Sequence, residues 1–387
     1  MKMEKTSERN MKFIFVESFQ LSKWNGYNAR YIKGVSGSHN GPMYLAEALA
    51  SFGHEVIFIS MRNKMEPIVY KNVRYMNYED MPYTDTDVLV TTNNVFDYDI
   101  FQKLKSFRKV VLVIHNELYN DNPADMHNFD PLFKLKPSSI LVVYVSKTSR
   151  ANFIDSQSFL RCCNDVVLPN SIDLNDVVAC DWEKKMKSFV FFTAYERGMK
   201  MVSEILNKTP NFILWTNTYN ENERKWMEEI PGSIYLTADS SKHTIFNHLS
   251  HSRYFIYPLI DLDHRNPNAG KFSINTDTFG YTVLEALLHG VVVLTPRMAV
   301  YEEWFGDAIC YIDTDDLMPR STLSIWKQCN ENLGYPILDR YIAKIHELEA
   351  NPALRLSYVE KGYALRDKFS NVTIAQKLID NLYLNWF

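Results

Sequence analysis

The segment Asp277-Thr278-Phe279-Gly280-Tyr281-Thr282-Val283-Leu284-Glu285-Ala286-Leu287-Leu288-His289-Gly290-Val291-Val292-Val293-Leu294 reads as a loop, a helix and a strand in direct succession. Gly280 marks a tight loop, and Thr282 is placed to cap the helix that follows. The helix ends at Gly290, and a run of four apolar residues comes next. Asp277 sits just before the helix, and Glu285 lies about one turn inside it. Two carboxylates beside the free N–H groups of a helix start suit a polyol phosphate. Carboxylates accept hydrogen bonds from sugar hydroxyls, while the N–H groups and the helix dipole favour phosphate. Taken alone, an acid pair at this spacing is also what a solvated loop acid and a helix-surface acid look like.

The same alternation extends outward in both directions. Upstream, strands are expected at 12–16, 55–59, 88–90, 110–114 and 140–145. Leu45, Ala48, Leu49 and Phe52 recur at helical spacing over 42–52, and Gly53 stands where a left-handed helix cap belongs. After the turn Pro169-Asn170-Ser171-Ile172-Asp173, residues 174–187 are polar and charged and read as a linker. Strands are then expected at 189–193, 212–215, 233–236, 254–257, 291–294 and 310–312, with helices at 199–208, 243–251 and 282–289. Continuous apolar strands alternating with helices imply parallel sheets covered on both faces. The expected fold class is therefore α/β with two Rossmann-like domains. Residues 11–173 form the first domain, 187–365 the second, and 366–387 a helix crossing back to the first. Ligands of open parallel sheets sit at the carboxyl ends of the strands, so two such domains facing a cleft would place donor and acceptor together.

Bulk properties narrow the class. A length of 387 residues suits two domains, and 46% hydrophobic with 23% charged residues is ordinary for globular chains. The net charge of −4, without a long Lys/Arg run, argues against nucleic acid as a partner. The five cysteines (Cys162, Cys163, Cys180, Cys310, Cys329) form no C-x-x-C pair, so neither zinc nor a redox motif is supported. A reducing compartment explains them more simply, and the chain reads as cytoplasmic. The apolar run at 13–16 is too short for a signal peptide, and no run approaches the about 20 residues of a membrane span. A peripheral membrane contact stays open.

The 277–290 segment resembles the E-x7-E signature of retaining GT-B glycosyltransferases, especially the large family four group. Phe279-Gly280, Glu285-Ala286 and Gly290 stand in its register, with Asp277 in place of the first glutamate. Other stretches are similar to that family in order and spacing. They are Leu45 to Val56, the turn 169–173 (with serine where the family has glycine), Val145-Ser146-Lys147, and Glu302 before Gly306-Asp307-Ala308. The resemblance implies transfer of a sugar from a nucleoside diphosphate sugar to an acceptor hydroxyl, with retained anomeric configuration. The nucleotide sugar is then a substrate, no cofactor is needed, and no metal is held. The acceptor would be a glycan, or lipid-linked or protein-linked.

Roles follow residue by residue from the resemblance. Glu285 would hold the ribose hydroxyls, Asp277 the hydroxyls of the donor sugar, and the backbone at Phe279 and Gly280 sugar or phosphate. At the end of the second domain's first strand, Phe192-Thr193 leads to Arg197-Gly198, where the family has lysine-glycine. The family's upstream arginine is missing here. Arg197 would bind the diphosphate in bidentate fashion, with Lys200 as the second charge or merely an exposed lysine, and Thr193 at the strand end near the donor. His115 follows the strand at 110–114 and matches the histidine that hydrogen-bonds the donor sugar. Asn116 and Glu117 beside it would reach acceptor. The long stretch 17–41 reads as a loop. Gly37-Ser38 and Gly41 either let backbone approach phosphate or acceptor, or lie in a plain surface loop.

D-x-D pairs occur at Asp85/Asp87, Asp261/Asp263 and Asp313/Asp315, and three scattered copies argue against any one as a metal site. Two other readings share the fold. A nucleotide-sugar epimerase would isomerise the donor without an acceptor. A binding protein that has lost turnover would bind the donor and transfer nothing.

Overall fold

In the computed structural model, short apolar runs become strands of two largely parallel sheets, with helices in several of the described connections between them. The structure describes residues 10–17, 24–35, 37–61, 66–77, 79–80, 86–92, 107–115, 132, 134–156, 158–178, 181–193, 197–218, 221–237, 240–258, 277–313 and 337–386.

The first sheet contains β1 (Lys12–Glu17), β2 (Glu55–Met61), β3 (Ile68–Tyr70), β4 (Val73–Asn77), β5 (Thr86–Thr92), β6 (Phe107–Ile114), β7 (Ile140–Tyr144) and β8 (Asn164–Val167). Their order is β3-β4-β2-β1-β5-β6-β7-β8, and only β3 runs antiparallel to its neighbour. Lys71 and Asn72 take positive φ in the β3–β4 connection, the backbone that a tight two-residue hairpin demands. Helices α1 (Gly26–Tyr31) and α2 (Gly37–Ser51) follow β1, and α3 (Lys147–Ser156) follows β7. The central strands are buried on both faces. Ile14, Leu112 and Val142 point into one apolar cluster, while their neighbours Phe15, Val111 and Val143 are buried on the opposite face.

The second sheet contains β9 (Met186–Phe191), β10 (Ile213–Thr218), β11 (Ser233–Thr237), β12 (Ser252–Ile256), β13 (Val292–Pro296) and β14 (Cys310–Ile312). Between them run α4 (Met199–Lys208), α5 (Glu221–Glu228), α6 (Lys242–His251), α7 (Tyr281–Leu288) and α8 (Ala299–Trp304). The order is β11-β10-β9-β12-β13-β14, every pair parallel. The winding reverses between β9 and β12, which makes a crevice at their carboxyl ends. After β14 come α9 (Leu338–Ala350), α10 (Pro352–Ala364) and α11 (Arg366–Phe369). Helix α12 (Asn371–Trp386) then packs on α2, with Asn371 Nδ2 donating to the Tyr44 carbonyl at 3.4 Å.

The chain divides into two compact units. One draws on Met1–Ala29, Val35–Asp173 and Phe369–Phe387, the other on Arg30–Gly34 and Leu174–Lys368. The second unit thus takes in the stretch read as a linker, where Trp182 and Lys185 are buried. The stretch read as a loop up to Gly41 is corrected. Residues 26–31 are helical, and α2 starts at Gly37, so Gly37, Ser38 and Gly41 lie in a helix. A Cβ at Gly41 would lie 2.5 Å from Asn170 Oδ1, so this glycine serves the packing of α2 against the 169–173 turn. The expected cap is corrected too: α7 begins at Tyr281, capped by Gly280 at φ +82 with no side-chain bond, and Thr282 lies inside the helix.

Candidate functional site

The crevice between β9 and β12 is furnished from both strand ends. Thr193, Arg197 and Gly198 follow β9, and Tyr257 and Pro258 follow β12. Gly198 caps α4 at φ +113, and a Cβ there would overlap Pro258, so only glycine lets the two connections meet. Arg197 Nη1 donates to the Tyr257 hydroxyl and lies 3.6 Å from Asp277 Oδ2. Tyr257 in turn donates to Asp277 Oδ2 at 3.3 Å, and Tyr301 at the start of α8 donates to the same oxygen at 3.0 Å. The Thr193 side chain also bonds the Tyr257 hydroxyl. One donor and two acceptor sites complete that hydroxyl's capacity. Burial, then the Asp277 charge, pushes both tyrosines well above their ordinary range, so both stay protonated and keep donating. Thus Asp277, Arg197 and Thr193, distant in sequence, meet around two tyrosines, while Asp277 Oδ1 makes no hydrogen bond among the described residues.

Gly280 belongs to the same cluster by packing: a Cβ there would lie 2.6 Å from the Tyr301 ring. The Phe279 side chain is core, its ring centroid 6.2 Å from that of Tyr281, 6.2 Å from Trp304 and 5.9 Å from Phe305. Any contact it makes with a ligand is therefore through its backbone. Glu285 is 1% exposed and pairs with Lys242 Nζ at 2.5 Å. Burial raises its carboxyl pKa, and the ammonium opposes that rise. Lys200 stands half-buried on the first turn of α4 and forms no ion pair with either acid among the described residues.

The helices that carry Glu285 and Lys242 are tied together behind the site. Lys185 Nζ is buried and donates to the carbonyls of Leu249 (3.3 Å), Ser250 (2.7 Å), Ser252 (3.1 Å) and His289 (3.0 Å). These lie at the carboxyl ends of α6 and α7, where a cation is favoured by the helix dipole and by the carbonyls of the last turn. His289 bonds the Glu285 carbonyl through Nδ1 at 2.7 Å, and burial lowers its pKa to about 3.

In the first unit, His115 directly follows β6. Burial, then the nearby His39, lowers its pKa to about 3, and His39 itself is lowered by burial to about 4. Both are neutral at physiological pH, and pKa values this low make each a weak base, which suits hydrogen bonding rather than general-base work. His115, Gly41, Leu45, Asn170 and Leu378 help line a small cavity of about 30 Å³. Gly37 and Gly41 lie on α2, as does the backbone of Ser38. Asn116, Glu117, Asp85, Asp261, Asp263 and Asp315 lie outside the described residues. Among the described residues no group of His, Cys, Asp and Glu is placed to hold a metal ion, and no helix is long and apolar enough to cross a membrane.

Sequence reasoning missed Tyr257, Tyr301, Lys242 and Lys185. Tyr257 carried one signal, its place at the carboxyl end of an expected strand. The other three make contacts that only the tertiary fold creates.

No protein-family model matches the chain, and no curated protein matches it in sequence. Solved structures do match over nearly the whole length. Sucrose-phosphate synthase from Thermosynechococcus elongatus matches with a TM-score of 0.67 at 11% identity, covering 97% of this chain and 98% of that one. HepE from Anabaena, solved with UDP and glucose, matches at 0.63 with 12% identity, covering 97% and 100%. A trehalose-6-phosphate synthase studied for glycosyl transfer with retention matches at 0.61 with 10% identity, covering 96% and 99%. The chain therefore has the GT-B fold of these glycosyltransferases, as the sequence resemblance implies.

Proposed function

We propose that the chain transfers a sugar from a nucleoside diphosphate sugar to the hydroxyl of a glycan, a lipid-linked or a protein-linked acceptor, with retained configuration. The observation that carries this reading is the polar cluster at the β9–β12 switch point. There Asp277 is fixed by Tyr257, Tyr301 and Arg197 beside the glycine-capped start of the helix bearing Glu285. The complex of HepE with UDP and glucose supports a donor of this class. In this reading Asp277 Oδ1 meets donor-sugar hydroxyls, and Glu285 meets the ribose. The α7 and α4 N–H groups, with the part of the Arg197 fork not engaged by Tyr257, neutralise the leaving diphosphate. Lys200 adds a second positive charge, and His115 hydrogen-bonds the sugar as a neutral imidazole. The diphosphate oxygen assists loss of the acceptor proton.

The test is nucleotide binding by Glu285→Gln. Glu285→Ala would leave the Lys242 ammonium buried without its partner, at about 3–5 kcal/mol of stability, so the isosteric change is cleaner. Losing one charge-assisted bond, about 1.5–3 kcal/mol, predicts about ten- to hundredfold weaker binding of the free nucleoside diphosphate by calorimetry. A folded variant with wild-type affinity removes Glu285 from the site.

Transfer is also expected to persist in excess chelator, since Arg197 and two helix starts supply the positive charge that a divalent ion would otherwise bring. Complete loss of activity that added metal restores would sink this part of the reading.

A further inference from the structure

Lys242 occupies a position that disfavours its charge twice. It is 5% exposed, and it is the first residue of α6, where the helix dipole repels a cation. The faces of the Phe246 and Tyr281 rings, each with its centroid 5.6 Å from Nζ, attract the ammonium and offset part of this. Its ionic partner is Glu285 Oε1 at 2.5 Å. The same bond fixes one oxygen of the buried Glu285 carboxylate, and Glu285 Oε2 makes no hydrogen bond among the described residues. Behind the pair, the Lys185 contacts hold the far ends of both helices, so the geometry is braced from two sides.

We propose that Lys242 is a positioning residue for nucleotide recognition, holding Glu285 so that Oε2 meets the ribose diol in one orientation. This rests on the reading in which Glu285 binds the ribose. A merely structural ion pair would stabilise the unit and leave ligand discrimination untouched. A positioning role makes a narrower claim: the effect of Lys242 appears only when the ribose hydroxyls are present, and only through Glu285.

The experiment titrates UDP and 2′-deoxy-UDP by calorimetry, with ADP and GDP and their 2′-deoxy forms in parallel, against the full chain and its variants. The wild type is expected to prefer the tightest-binding ribonucleotide over its deoxy form by about tenfold or more. Glu285→Gln should remove most of that preference. Lys242→Met should weaken the ribonucleotide by about tenfold and leave the deoxy form nearly unchanged. The double variant Lys242→Met with Glu285→Gln should regain thermal stability lost in Lys242→Met, yet show the same low preference as Glu285→Gln alone.

A folded Lys242→Met that keeps the full preference overturns the proposal, as does an equal loss for both ligands. A double variant that loses more preference than Glu285→Gln also overturns it, because Lys242 would then touch the ligand itself. Should Lys242→Met not fold, Lys242→Arg reads the same quantity. Its bulkier fork displaces Oε1, and an undiminished preference overturns the proposal. Failure of the donor reading looks different: no nucleotide binds the wild type, or Glu285→Gln keeps the preference.

Discussion

Asp277→Asn is expected to lower sugar transfer by about tenfold to a thousandfold while barely changing affinity for the bare nucleoside diphosphate. Asp277 Oδ2 is already committed to Tyr257 and Tyr301, with the Arg197 guanidinium 3.6 Å away. In asparagine, the carbonyl oxygen must stay on the tyrosine side to accept both hydroxyls. The amide nitrogen then faces the donor, so the group turned to the sugar becomes a donor where an acceptor stood. The charge is lost as well. A carboxylate bonded to a sugar that becomes positive in the transition state acts mainly on the reaction step, not on ground-state binding. Size is kept, so folding should survive. Transfer and nucleotide affinity are to be measured on one preparation. Equal losses in both would make Asp277 a nucleotide or structural residue, and near-wild-type transfer would make it a bystander.

Lys185→Met is expected to destabilise the second unit by about 3 kcal/mol or more. Methionine keeps the stem and loses the ammonium, so the carbonyls of Leu249, Ser250, Ser252 and His289 lose the donor they share, while that of Leu249 keeps the Ser252 N–H. Each buried carbonyl left unpaired costs about 1–3 kcal/mol, although entry of water and release of the buried charge offset part of the sum. The loss should appear as a lower urea midpoint for the transition of that unit. A change below about 1 kcal/mol would show that the four carbonyls find other donors. Because the same contacts brace α6 and α7, nucleotide affinity should weaken in parallel.

Much of the architecture was legible because buried parallel strands are written as unbroken apolar runs, such as Val110 to Ile114 and Ile140 to Tyr144. The strands that escaped notice lie at the first sheet's two margins. The edge strand β3 has only three residues, and β4 beside it alternates with the charged Arg74, while β8 is half-buried with Asn164 and Asp165. Edge strands need little apolar surface, so they carry little pattern. The start of α2 was misread because Gly37, Gly41 and Pro42 are helix breakers by propensity. Contact of Gly41 with Asn170 and packing against α12 override that preference. In the candidate site, Asp277 and Glu285 stand out in the sequence through their spacing around Gly280. Their partners were not, because Lys242 and Tyr301 are brought in from neighbouring helices and carry no local mark of that duty.

The void left by the missing side chain of Gly280 is filled by the ring of Tyr301, and the hydroxyl of that same ring holds Asp277. Glycine, tyrosine and carboxylate therefore form one mechanical linkage. Evolution can alter its members only together. A methyl group at position 280 would push the ring and pull the carboxylate off its aim, and a smaller residue at 301 would accommodate the methyl while letting the carboxylate swing free. Relatives that carry a longer acid at 277 should accordingly show a compensating change at 301, so the identity of the residue there becomes a readable tag for how far into the crevice the acid reaches.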